Sequence, residues 1–143
     1  LSFVQSGYLR MFALIDGKEV TQWVSSKGYF ATDLAGFIYS QKSKLSIQAL
    51  TATEIYTISK DDYDKIGTLV PQWHAIEKQF LINCFIALET RVFSHLSMTA
   101  EERYAAFFET NKSIFNKIPL QYIASMLGMS PETLSRIRKK QVM

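Results

Sequence analysis

Apolar positions along this chain change period once, near Pro71. Before it they come in short runs broken by turn residues; after it they recur at helical spacing. Leu1 to Val4, Tyr8 to Leu14, Glu19 to Val24, Leu45 to Leu50 and Thr53 to Ile58 read as strands. The fourth alternates, and the fifth is rich in β-branched and aromatic residues. Ser6-Gly7 and Lys27-Gly28 supply turns, and Asp16-Gly17 is a hairpin signal. Ala31 to Tyr39 fits a short helix or helical turn. Many short strands with turns between them predict a small barrel or roll. Ser59 then caps a helix start with Asp61 and Asp62 in its first turn.

Pro71 to about Leu96 predicts one long helix with two apolar stripes. Trp73, Ile76, Phe80, Cys84, Ala87, Arg91 and Leu96 recur near heptad spacing; Leu81, Phe85, Leu88 and Val92 lie beside them. A helix apolar on two faces packs on its own domain with one and on a partner with the other. The plainer alternative is a monomer's central helix. Phe80, Cys84, Ala87 and Arg91 are the residues expected to face the partner. Thr99 to Glu102 is a capping box opening a further helix to about Thr110, and Asn111 to Lys117 reads as a polar connection.

The last stretch, Ile118 to Lys140, carries the chemistry. Leu120, Ile123, Ala124 and Leu127 give a short helix one apolar face. Gly128 follows, where a helix ends in a left-handed residue. Ser130 is the next N-cap, Pro131 the first helical position, and Glu132 meets the dipole. Leu134 and Ile137 form the inner face; Glu132, Thr133, Arg136, Lys139 and Lys140 lie outside. Two short helices at a Gly-containing turn, the second basic, suit a major groove. The plainer reading is a helical hairpin with a solvated basic end.

Charge weighs against that plainer reading. Residues 112–143 hold six Lys and Arg against one acid, while residues 1–111 hold ten against twelve. The overall net charge of +3 is therefore an asymmetry that points to a polyanionic partner. The lone cysteine, Cys84, excludes an intramolecular disulfide framework and any Cys-based cluster, and a reducing cytoplasm is the expected compartment. No apolar run approaches a membrane span, and the start is not a signal peptide. His74 and His95 lack carboxylates or cysteines at ligand spacing, and a capped helix start accounts for Asp61, Asp62 and Asp64. Neither a nucleophile–base constellation nor a phosphate-binding Gly loop is present, so no enzyme, metal or cofactor is expected. The chain opens on Leu1 inside a predicted strand and reads as the later part of a longer protein.

Roll, long helix and helix-turn-helix together resemble the Crp/Fnr family of bacterial transcription regulators. Phe3-Val4-Gln5-Ser6-Gly7-Tyr8-Leu9-Arg10 resembles the family's F-V-x-S-G-x-[LV]-[RK] turn. Asp16-Gly17-Lys18-Glu19-Val20 resembles its D-G-[KR]-E-[VI] hairpin. The stretch from Ile123 to Arg136 resembles its helix-turn-helix signature almost position by position. The strands that open the family's roll are missing. In cyclic-nucleotide-binding members a Gly-Glu pair holds the ribose and an Arg-Ser pair the cyclic phosphate. Thr32-Asp33 and Ser43-Lys44 stand there instead. Losing Gly blocks close backbone approach, and losing Arg removes a planar anion fork.

The resemblance implies an α+β fold: residues 1–70 an incomplete cyclic-nucleotide-binding-like β-roll, 71–97 the dimerisation helix, and 98–143 a winged-helix-type helix-turn-helix domain lacking most of the wing. The expected function is a homodimeric, sequence-specific regulator on a palindromic operator in double-stranded DNA, independent of cyclic nucleotides. The alternative is a small-molecule-sensing or protein-interaction module whose helix-turn-helix does not read DNA. Glu132 and Arg136 are expected at base edges, with Thr133 at the rim and Gln121, Ser130, Lys139 and Lys140 on phosphates. Thr32, Asp33, Leu34, Ser43 and Lys44 mark the effector pocket, open to an unknown small molecule.

Overall fold

Six strands and six α-helices appear in the computed structural model, which describes residues 1–142. The strands are β1 (Ser2–Ser6), β2 (Leu9–Ile15), β3 (Lys18–Ser25), β4 (Phe30–Ala31), β5 (Ser46–Ala49) and β6 (Glu54–Thr57). They form two antiparallel sheets, ordered β4-β1-β6 and β3-β2-β5. The β2–β3 hairpin closes at Asp16 and Gly17, both left-handed (φ 49° and 76°), as a two-residue turn between right-twisted strands requires. Val4, Leu9, Met11 and Ala31 are buried between the sheets. The ambiguous stretch after β4 forms a one-and-a-half-turn helix, α1 (Leu34–Tyr39).

Register along the hairpin breaks once. Met11 pairs with Trp23 and Phe12 with Thr21, which leaves Gln22 as the extra residue of a β-bulge. Among the described residues β3 has no strand on its other side, and α5 (Leu120–Met126) lies against it instead. An uncovered edge strand would present unpaired amides and carbonyls, and a helix laid over it removes that liability.

α2 (Lys60–Leu69) starts where Ser59 accepts the Asp62 amide at 3.1 Å. The long helix is α3 (Trp73–Ser97), and none of its 25 residues is buried. α4 (Ala100–Asn111) opens on the full capping box between Thr99 and Glu102. Its end differs from the sequence expectation. Residues 112–116 are not a plain polar connection but a 3-10 helix in which Ile114 and Phe115 are both 5% exposed. The Phe115 ring lies 5.1–5.8 Å from those of Tyr104, Phe107 and Phe108, and that aromatic cluster pulls the segment inward.

α6 (Pro131–Val142) completes the fold, and its Leu134 and Ile137 join Ile123, Ala124, Met126 and Leu127 in one core. Val24 of β3 belongs to the same core, so the sheet and the last helices share an interior. Among the described residues no helix is long and apolar enough to cross a membrane.

Candidate nucleic-acid interface

The turn between α5 and α6 is fixed by local chemistry. The Gly128 amide reaches the Ser125 carbonyl at 3.1 Å, and the Met129 amide reaches that of Ala124 at 3.0 Å. That pair of bonds requires a left-handed residue, which Gly128 supplies at φ 66°. The His95 ring also lies 3.1 Å from where a Cβ at residue 128 would sit. Ser130 then accepts the Thr133 amide at 3.2 Å through its hydroxyl and the Leu134 amide at 3.0 Å through its carbonyl. One glycine stops α5, and one serine starts α6.

Two arginines brace this turn from outside. Arg91 of α3 donates to the Met126 carbonyl at 2.9 Å and also to the Gln22 carbonyl on the bulge of β3. Arg103 of α4 donates to the Leu127 carbonyl at 2.9 Å and the Met98 carbonyl at 2.7 Å. Cations at the C-terminal end of α5 meet the negative end of its dipole and satisfy carbonyls left without a helical partner. Burial holds the Arg91 guanidinium below its ordinary pKa.

With the inner face packed, the outer face of α6 is set. Leu134 and Ile137 are 0% and 1% exposed, while Pro131, Glu132, Ser135, Arg136, Lys139 and Lys140 line a shallow exposed groove. Ser130 and Gln121 are exposed beside it, and Thr133 is half-buried with its hydroxyl 3.1 Å from that of Ser130. Among the described residues no ion pair joins Arg136 to Glu132. The Glu132 backbone amide and the Ser130 hydroxyl hold the Glu132 carboxyl below the usual range. Arg138 turns away, its guanidinium 5.9 Å from the Phe115 ring centre. The arrangement is a basic helix face with one carboxylate at its N-terminal end.

Of the four residues assigned to the partner along α3, two contact their own chain and two are exposed. Phe80 packs on Phe30 of its own chain at 4.8 Å between ring centres, and Arg91 is engaged as described. Trp73 stacks edge-on to Tyr63 on the same side. Cys84 and Ala87 are exposed, with Ala87 lining a cleft of about 910 Å3 between α3, β3 and α4. Within the first stripe Phe80 and Arg91 thus meet their own chain, while Ile76 and Leu96 are 52% and 80% exposed. The second, Leu81, Phe85, Leu88 and Val92, is wholly outward, at 42–69% exposure.

Of the expected effector residues, the structure brings three together. Asp33 accepts the Gly36 amide at 3.2 Å, the Ser43 hydroxyl at 3.0 Å and the Lys44 amide at 2.7 Å. The Lys44 and Gly36 amides hold its carboxyl below the ordinary aspartate pKa. Thr32 is half-buried beside it, and Leu34 is exposed.

Sequence reasoning gave Arg10 and Arg103 no role, although both hold other elements in place. Arg10 stood within a family-like motif, and the signal available was a cation at an apolar strand position.

No protein-family model and no curated protein matches this chain. Solved structures do. FixK2 from Bradyrhizobium japonicum superposes with a TM-score of 0.78 at 19% identity, over 97% of this chain and 72% of that one. A transcriptional regulator assigned to the Crp/Fnr family, from Eubacterium rectale, gives 0.72 at 24% identity, over 99% and 68%. The c-di-GMP responsive global regulator CLP of Xanthomonas campestris gives 0.71 at 18%, over 98% and 75%. The chain spans about two thirds to three quarters of these proteins' length. At such identities the likeness is one of architecture, and this chain has the fold of the Crp/Fnr regulators: a cyclic-nucleotide-binding-like roll, incomplete here, a long helix and a helix-turn-helix.

Proposed function

We propose that this chain is a sequence-specific DNA-binding transcription regulator of the Crp/Fnr type, acting as a homodimer on a palindromic operator. The observation that carries the reading is the outer face of α6. Four of its exposed positions, Glu132, Arg136, Lys139 and Lys140, carry charge, and the opposite face is fully packed. In this reading Arg136 binds a guanine bidentately and Glu132 accepts from a cytosine amino group. In the same reading Gln121, Ser130, Lys139 and Lys140 contact phosphates, which set the register, with Thr133 at the rim. Selecting bound duplexes from a random pool with the full chain tests this. The expected result is one enriched half-site in inverted repeat, bound with a steep salt dependence. Equal binding to shuffled duplexes would leave the alternative, a sensing or interaction module that does not read DNA.

Dimerisation is assigned to α3, because two recognition helices must be held about 34 Å apart to meet successive major grooves. The partner-facing stripe is Leu81, Phe85, Leu88 and Val92, the outward apolar side of the helix. Support for independence from cyclic nucleotides comes from Asp33. Its carboxylate already takes the amide and hydroxyl donors of the loop at Ser43 and Lys44, and it would repel a phosphate there. A different small-molecule effector stays compatible with this reading. The architecture, shared with solved transcription regulators, favours a regulator over an enzyme.

A further inference from the structure

A charged side chain that is 1% exposed needs a reason, and Arg10 of β2 is one. Its Nε donates to the Thr21 hydroxyl at 2.9 Å, and one terminal nitrogen donates to Glu19 at 2.7 Å and to Gln48 at 3.3 Å. Those partners lie on β3 and β5, so two of the three guanidinium nitrogens are bonded within the sheet. Yet it also lies 4.2 Å from the Phe12 ring centre and 3.9 Å from that of Tyr122. Tyr122 belongs to α5, the first helix of the helix-turn-helix.

Contacts between the two regions continue from there along the free edge of β3. The Thr21 amide donates to the Ser125 hydroxyl of α5 at 2.9 Å. One residue on, the bulge at Gln22 turns its carbonyl to Arg91, which also holds the end of α5 at Met126. In a regular edge strand only every second residue turns its backbone groups outward, and those groups meet solvent. Here the bulge aims the Thr21 amide at α5 and the Gln22 carbonyl at α3, and Arg10 supplies the adhesive contact beside them.

We propose that Arg10 is a positioning residue for DNA recognition: stacked on Tyr122 beside the Gln22 bulge, it locks α5 onto β3 and thereby fixes how far apart a dimer holds its recognition helices. The proposal rests on the DNA-binding reading above, and it adds the residues that set half-site spacing. A helix-turn-helix tethered only through the α3–α4 junction would sample many orientations. Docked on the sheet at three points, it has one.

The test uses the full chain with Tyr122→Leu, which removes the ring, and Tyr122→Phe, which keeps it. Without DNA, amide exchange at Thr21 reports the dock. It should quicken about tenfold in Tyr122→Leu and stay at the wild-type rate in Tyr122→Phe. Protection of the Leu134 amide, which donates to the Ser130 carbonyl, reports whether the helix-turn-helix remains folded. If that protection is lost as well, Ser125→Ala replaces Tyr122→Leu and is read by spacing selection alone, since it removes the acceptor of the Thr21 amide itself. With DNA, duplexes carrying one inverted half-site pair at varied spacing are competed against each other. Wild type and Tyr122→Phe should select one spacing; Tyr122→Leu should spread over neighbouring spacings with its half-site sequence unchanged. Unaltered Thr21 exchange, or a single retained spacing in Tyr122→Leu, overturns the proposal. A wild-type chain that prefers no duplex overturns the DNA-binding reading instead, while the exchange data still decide whether the dock exists.

Discussion

Two regions of this molecule use apolar residues in opposite ways. The last helices, α4 to α6, bury theirs: Ile123, Leu134 and Ile137 are all within 1% of complete burial. α3 is at least as apolar along its length and buries none of its 25 residues, with Phe85 and Leu96 at 69% and 80% exposure. Exposed apolar area on this scale marks an interaction surface in a natural protein. The helix-turn-helix closes its core within the chain, whereas α3 leaves its apolar side uncovered. In the function proposed above a second copy covers it, because α3 lies between the roll and the proposed recognition helix, which would act in pairs.

The contrast breaks most visibly in the closed core. Leu134→Ala should destabilise the chain by about 3 kcal/mol, the cost of lost transfer energy plus a cavity in a site with little freedom to collapse. Chemical denaturation followed by circular dichroism measures it. A loss below about 1 kcal/mol would mean that the α5–α6 core is looser than its burial indicates. On α3 the same kind of surgery should read out elsewhere. Phe85→Asp should shift the unfolding of dilute protomer by less than about 0.5 kcal/mol, because the side chain touches little of its own chain. It should weaken self-association by roughly a hundredfold, or about 2.7 kcal/mol. Sedimentation analysis decides the matter. Unchanged association in Phe85→Asp, alongside a loss in Phe80→Asp, would restore the first stripe as the interface.

α6 repeats the contrast within one helix. Its buried residues hold the fold, so its exposed cations are free to act on a ligand. Arg136→Ala should cost roughly 1–3 kcal/mol and relax preference at one half-site position. Lys139→Ala should weaken all duplexes alike and lower the salt slope by about one unit. Quantitative binding across a panel of half-site variants, at several salt concentrations, separates the two. Uniform weakening by Arg136→Ala would make Arg136 a phosphate clamp.

These differences bear on what was legible in the sequence. The helix-turn-helix was readable because its boundaries are written locally: Thr99, Gly128 and Ser130 each act within a few residues of themselves. The strands and the Asp16-Gly17 hairpin were readable for the same reason. Residues 112–116 were not, because Lys-Ser-Ile-Phe-Asn carries no periodic signal and its burial comes from aromatic rings on α4. The rotation of α3 was hidden too, since two adjacent apolar stripes satisfy the same period. Arg91 held a clue, as a cation inside an apolar stripe is better placed against carbonyls of its own chain than against a twofold copy of itself. The dock between β3 and α5 joins residues about a hundred positions apart, and no local pattern announces it.

The smallest expected effect lies at Asp33, where polar groups, like the core of α5 and α6, have found their partners within the chain. Its carboxylate accepts the Lys44 amide at 2.7 Å and the Ser43 hydroxyl at 3.0 Å, and its pKa is held below the ordinary value, first by the Lys44 amide. A depressed carboxylate contributes stability that is present above its unfolded pKa and lost as pH falls through the folded value. Protection of the Lys44 amide should therefore persist at about pH 5 and fade as the pH drops below about 4, the ordinary range for aspartate. Asp33→Asn keeps an acceptor oxygen but no charge, so exchange at Lys44 should be severalfold faster at neutral pH and lose its acid step. Global stability should hardly move, because the site is open to solvent and the charge is well screened. The variant also probes ligand exclusion: with Asp33 neutral, the Lys44 amide and Ser43 hydroxyl are no longer claimed by a fixed anion. If the carboxylate is what excludes an anionic ligand, inorganic phosphate should protect Lys44 in Asp33→Asn and have no effect on the wild type. Equal protection of both by phosphate would show that the carboxylate does not close this loop, and independence from cyclic nucleotides would then need another cause.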